Sequence, residues 1–141
     1  MRSLKASTKP STDGMRLLLD TSALLWWLSG DKKLGATARA AIADPENEVF
    51  VSSASAWEIS VKRASGKLNA SFDIASAIQQ NYFVELPIEV AHAVTAGELP
   101  RHHNDPFDRM LVAQAQLEHL TLVADDAELA KYEVERLDAR R

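Results

Sequence analysis

There is no cysteine among the 141 residues. That excludes disulfides, thiolate chemistry and cysteine-bound zinc, and it accords with a cytosolic location. No apolar run reaches the length needed to span a bilayer. The first fourteen residues, MRSLKASTKPSTDG, lack the apolar core of a secretory signal. Rich in Ser, Thr, Lys and Pro, they read as a disordered leader, and residues 15–141 read as one domain of ordinary size. A basic excess is missing too. The chain carries a net charge of −4, and setting aside the leader (Arg2, Lys5 and Lys9 against Asp13, +2) leaves −6. An acidic domain is a poor general binder of nucleic acid, so any such binding needs a local basic patch or a metal bridge. Internal repeats and internal linkers are absent as well.

What is present is an alternation of apolar runs and helical periodicity. MRLLLD reads as a buried strand, and TSALLWWLSG as a helix stopped at Gly30. LGATARAAIAD is a second helix halted near Pro45, and NEVFVSS a second strand. SASAWEISVKRASGKL gives a helix ending near Gly66, SFDIASAIQQN another, and YFVELP a short strand. EVAHAVTAGELP is helical to about Gly97, and RHHN is a loop. DPFDRMLVAQAQLEHL is a strong helix with Pro106 at its first position. TLVA is a strand, DDAELAKY a short helix and VERL a candidate edge strand. Strands that are apolar on both faces and alternate with helices predict an α/β fold: a mainly parallel central sheet with helices on both sides. Crossovers in such a sheet are right-handed, and ligands bind beyond its carboxyl edge.

Four acids fall at that edge. Asp20 follows the first strand, and Asp126 follows TLVA. Glu58 lies one to two turns into the helix after VFVSS, with Ala54 and Val61 at helical spacing and Trp57 beside it, so the spacing turns it inward. Asp108 lies in the first turn of its helix, in line with Leu111, Val112 and Ala115. Helix capping accounts for Asp20 and Asp126 one at a time, and Asp105 with Asp108 has the spacing of a capping box. No cap explains an inward mid-helix Glu58. Carboxylates gathered without counter-charge repel, and a hard divalent cation resolves the repulsion. Mg2+ and Mn2+ choose oxygen ligands, and such ions can activate water against a phosphodiester.

LLLDTSALLWWLSGD, VFVSSASAWEISVKRASGKL, LPRHHNDPFDRMLVAQAQ and LTLVADDAELAKY together resemble the PIN-domain family, and most of all the VapC-type toxins of bacterial toxin–antitoxin pairs. The likeness spans Met15–Tyr132. It implies a three-layer α/β/α sandwich, a Mg2+- or Mn2+-dependent endoribonuclease, a homodimer, and a cognate antitoxin that blocks the site. The family's four acids map onto Asp20, Glu58, Asp108 and Asp126, with Asp125 as the alternative for the fourth. The family's Thr or Ser two residues before the fourth acid is Ala124 here.

Lys62, Arg63 and Lys67, downstream of Glu58, are candidates for positioning phosphate or for a solvated helix face. Arg101, His102 and His103 precede Asp105 and can line an RNA path; Arg109 can meet phosphate or a neighbouring acid. Trp26 and Trp27 read as core or dimer contacts, and Thr21 and Ser22 as helix caps. Two other functions compete. An aspartate-nucleophile phosphatase needs a second Asp two residues after the first, where this chain has Ser22. A catalytically weak RNA- or protein-binding domain would tolerate loss of the acids, and all four remain.

Overall fold

Residues 14–141 are described by the computed structural model; the expected leader lies, Gly14 aside, outside the described residues. The chain runs β1 (Arg16–Leu19), α1 (Thr21–Ser29), α2 (Ala36–Ala43), β2 (Glu48–Ser52), α3 (Ser53–Ala64), α4 (Ile74–Gln80), β3 (Val84–Leu86), α5 (Val90–Glu98), α6 (Pro106–Glu118), β4 (Thr121–Ala124), a 3-10 turn (Ala127–Lys131) and β5 (Arg136–Asp138). The five strands form one sheet in the order 3-2-1-4-5. Every neighbouring pair is parallel.

The period of two in the central strands divides the core. Leu17, Leu19, Val49, Val51 and Val123 face one side, where they meet Ala23, Leu24, Ala38, Ile42 and Ile78 of α1, α2 and α4. Leu18, Phe50, Leu122 and Ala124 face the other side, where they meet Ala96, Leu111, Val112 and Ala115 of α5 and α6. This is the three-layer arrangement expected of a parallel sheet. Leu17, Leu18 and Leu19 are fully buried, and each such side chain stabilises the fold by about 1.5–3 kcal/mol. Leu18→Ala would cost about 2–5 kcal/mol.

Local chemistry sets the element ends. Gly30 takes a left-handed conformation (φ 67°) to stop α1. Pro106 opens α6, and His119 closes it with φ 58°. At Gly35 the reason for glycine is space: a Cβ there would lie 2.1 Å from the Arg141 carbonyl carbon. The last strand begins two residues later than VERL and ends one later, because Arg136, Leu137 and Asp138 pair with Leu122, Val123 and Ala124. The short helix after β4 is a 3-10 turn. Among the described residues, no helix is long and apolar enough to cross a membrane.

Candidate active site

All β strands run the same way, so helices entered from their carboxyl ends start at one edge. Asp20 is the residue between β1 and α1, and Ser52 closes β2 and caps α3. Asp105 caps α6, and Asp126 caps the 3-10 turn.

Asp20 is 4% exposed. Its Oδ1 accepts the Ala23 N–H at 2.7 Å, and its Oδ2 accepts the Asp125 N–H at 3.0 Å. One carboxylate therefore caps α1 and ties the end of β1 to the loop after β4. Burial pushes its pKa up to about 6, against the lowering by those two N–H bonds, and the charges of Asp125 and Glu58 add to the rise.

Glu58 is buried as its spacing predicts, although its neighbours Trp57 and Val61 are exposed. Thr21 Oγ1 donates to Oε1 at 2.5 Å, and Lys62 Nζ lies 2.8 Å from Oε2. The same Thr21 oxygen lies 3.2 Å from Ser55 Oγ. Asp108 is pushed up to about 7, first by burial and then by Asp105 and Asp20; His103 opposes the rise and Glu58 adds to it. Asp20, Glu58 and Asp108 thus stand within electrostatic reach of one another.

The expected capping box on α6 is only half formed. Asp105 Oδ1 accepts from the N–H groups of Phe107 and Asp108. The Asp105 N–H, however, goes to His103 Nδ1 at 3.0 Å and not to Asp108. With Nδ1 accepting, the His103 proton sits on Nε2. Nε2–H donates to Asp126 Oδ2 at 2.7 Å and lies 3.5 Å from Asp108 Oδ2. Donor atoms of His103, Asp108 and Asp126 all lie within 4.8 Å of one another. Asp126 also accepts from the Glu128 N–H. That bond first, and His103 second, hold its pKa below the usual carboxylate range. Ala124 offers no hydroxyl to order Asp126, and here His103 and the Glu128 amide do so instead.

The candidate phosphate contacts divide. Lys62 and His102 remain exposed, His102 with its ring edge-on to Tyr132 at 5.0 Å. Arg63 and Arg109 do not face outward as phosphate contacts would. The Arg63 guanidinium bonds the Phe72 carbonyl and stacks on that ring at 5.1 Å. Arg109 donates to the carbonyls of Ala96, Leu99, Pro100 and His103 at 2.9–3.2 Å, clamping the α5–α6 connection. A planar fork amid unpaired carbonyls at a helix end is a packing solution. The sequence reading also missed the partners of Thr21 and His103. Thr21 and Glu58 are 37 residues apart, and no periodicity marks such a pair.

The donor set suits a hard divalent cation. Asp108 and Asp126 offer oxygen atoms close together, Asp20 and Glu58 lie outside that close group but bear electrostatically on Asp108, and an ammonium already stands as a cation on Glu58. His103 would have to give up its Nε2 proton to ligate, so its present geometry makes it an orienting group for Asp126.

The PIN domain family model matches residues 17–135, and the chain belongs to that family. Its fold is that of chains in three solved structures. VapBC2 from Rickettsia felis, bound to a DNA fragment from its promoter, superposes with a TM-score of 0.62 at 13% identity, covering 88% of this chain and 98% of the other. A toxin–antitoxin complex from Klebsiella pneumoniae gives 0.62 at 18% identity, covering 87% and 97%. DNA-bound VapBC from Salmonella typhimurium gives 0.61 at 16% identity, covering 88% and 98%. No curated protein matches the chain.

Proposed function

We propose that the chain is a Mg2+- or Mn2+-dependent endoribonuclease that acts as the toxin of a toxin–antitoxin pair. The observation that carries the reading is the edge itself. Three inward carboxylates, Asp20, Glu58 and Asp108, share one electrostatic neighbourhood, and burial and mutual repulsion lift Asp20 and Asp108 well above the ordinary carboxylate value. Membership of the PIN family and the fold shared with VapBC complexes support it.

When bound, the ion would activate a water and stabilise charge on the phosphodiester oxygens. Asp20, Glu58 and Asp108 would hold it, with Asp126 alongside. Thr21 keeps Glu58 oriented, the Asp125 N–H keeps Asp20 oriented, and His103 keeps Asp126 oriented. The exposed Lys62 and His102 would meet the RNA backbone, positioning it without reading its sequence. A cytoplasmic homodimer with a cognate antitoxin completes the reading. A domain of net charge −6 attracts a basic partner segment, and an antitoxin Arg in the acid pocket would exclude the ion.

The test is incubation of the purified protein with single-stranded RNA in Mn2+ or in EDTA, beside the Asp108→Asn variant. Cleavage in Mn2+ by the wild type alone is the expected result. Near-normal cleavage by the variant, or cleavage undiminished by EDTA, would overturn the assignment.

A further inference from the structure

The acid edge contains one ion pair that a nuclease centre does not require. Lys62 Nζ lies 2.8 Å from Glu58 Oε2, a carboxylate whose side chain is only 7% exposed, while the Lys62 side chain is 46% exposed. The lysine stem reaches in from the surface, four residues along α3, to place its charge on the buried acid. Among the described residues, no other lysine or arginine forms an ion pair with Asp20, Glu58 or Asp108.

We propose that Lys62 is the built-in counter-cation of this site: it neutralises Glu58 in the metal-free protein and must yield that carboxylate when a divalent ion enters. The inference rests on the metal-site reading above. Both oxygens of Glu58 are engaged, Oε1 by Thr21 and Oε2 by Lys62. An incoming ion must therefore share those oxygens with a neutral hydroxyl and an ammonium, and only the ammonium repels it. Thr21 is 7% exposed, and its hydroxyl, forced off Glu58, would be left with the longer bond to Ser55 Oγ at 3.2 Å and no bulk water. The Lys62 ammonium sits on a flexible, half-exposed stem and can rehydrate by rotating outward. Lysine is thus the partner that leaves. Its charge also feels Asp105 and Asp108, so an outward rotation keeps it beside the edge where phosphate would arrive. An ammonium and a divalent ion competing for one carboxylate also repel each other, so each weakens the other's binding.

The consequence runs against the usual effect of mutating a site residue. Lys62→Gln should bind Mn2+ more tightly than wild type, by about tenfold at low ionic strength, within the usual range of coupling between interacting sites. Lys62→Arg, which keeps the charge, should stay near wild type. The metal-free Lys62→Gln protein should melt lower, because Glu58 loses its counter-charge. In a Glu58→Gln background the Lys62 substitution should no longer change Mn2+ affinity, closing a double-mutant cycle.

The measurement is calorimetric titration of Mn2+ into each purified protein without RNA, with thermal melting in EDTA as the folding control. Tighter Mn2+ binding by Lys62→Gln that vanishes in the Glu58→Gln background supports the proposal. Equal or weaker Mn2+ binding by Lys62→Gln overturns it, as does a wild type that binds no Mn2+. Wild-type protein that binds Mn2+ yet leaves RNA intact would overturn the nuclease reading alone and leave the role of Lys62 standing.

Discussion

Two polar clusters flank the start of α3, and they differ in how much like charge they gather. In one, every donor meets an acceptor. Ser52 Oγ donates to Gln114 Oε1 at 2.6 Å while accepting the Ala54 N–H. Gln114 Nε2 donates to the Pro87 carbonyl at 3.1 Å. The Glu89 N–H donates to His92 Nδ1, which leaves the His92 proton on Nε2, facing Glu118 Oε2 at 2.9 Å. The other gathers three carboxylates: Asp20, held by two backbone N–H groups, Glu58, held by Thr21 and Lys62, and Asp108, 3.5 Å from His103 Nε2. Burial of the two is similar: Gln114 is 0% exposed and Asp20 4%. A satisfied network ties strands to helices. A cluster of like charges works against the fold, and its persistence points to a ligand.

The contrast breaks most visibly in activity. Asp108→Asn or Glu58→Gln should lower Mn2+-dependent RNA cleavage at least about 100-fold, as for loss of a major electrostatic group. Gln114→Leu should leave the rate per folded molecule nearly unchanged. Comparable rate losses in both clusters would erase the distinction.

Metal should sharpen it next. Mn2+ at a hundredfold excess over Kd should stabilise the wild type by about 2.7 kcal/mol, and Asp108→Asn much less. Equal shifts in melting temperature would reduce Asp108 to a residue of the α6 first turn. Gln114→Leu should show the mirror pattern. It orphans the buried Ser52 hydroxyl, worth about 1–3 kcal/mol, so it should melt several degrees lower with or without Mn2+. A Gln114→Leu protein as stable as wild type would show that this network does not hold the fold.

The smallest effect is a pH slope. Asp20 and Asp108 are raised from 3.8 to about 6 and about 7 in the folded state. The folded protein therefore binds more protons than the unfolded chain between about pH 4 and 7, and this contribution to stability falls as pH rises across that window. Asp126 is shifted downward and acts only below that window. The melting temperature in EDTA should decline from pH 4 to 7, and Asp108→Asn should flatten the upper part. A wild-type profile that rises through the window would contradict the burial of these acids.

The sequence carries the fold well because the fold is periodic. Leu17, Leu18 and Leu19 announce a strand buried on both faces, and Pro106 and Gly30 mark helix ends. Glu58 was legible for the same reason: helical spacing turns it inward, and no cap accounts for it. Partners were not legible. The Ser52–Gln114 bond crosses 62 residues and the His103–Asp126 bond 23, and neither leaves a pattern in the order of residues. Arg109 reads as a partner for phosphate or a neighbouring acid because its charge is visible in the sequence, whereas the four carbonyls that hold it are backbone and are not.

The two hydrogen bonds of Asp20 bear on a practical choice. Testing the proposed activity in living cells needs a disarmed copy that is otherwise faithful. Asparagine caps helices as well as aspartate does, so Asp20→Asn would keep the Ala23 bond through its one oxygen. Its amide NH2 would then face the Asp125 N–H, donor against donor, where β1 is tied to the loop after β4. A copy disarmed at Asp20 would also be loosened there, and a partner that fails to bind it would be responding to a distorted edge. Asp108, whose carboxylate lies 3.5 Å from His103 Nε2 and feels the charge of other acids, is the safer place to disarm the molecule.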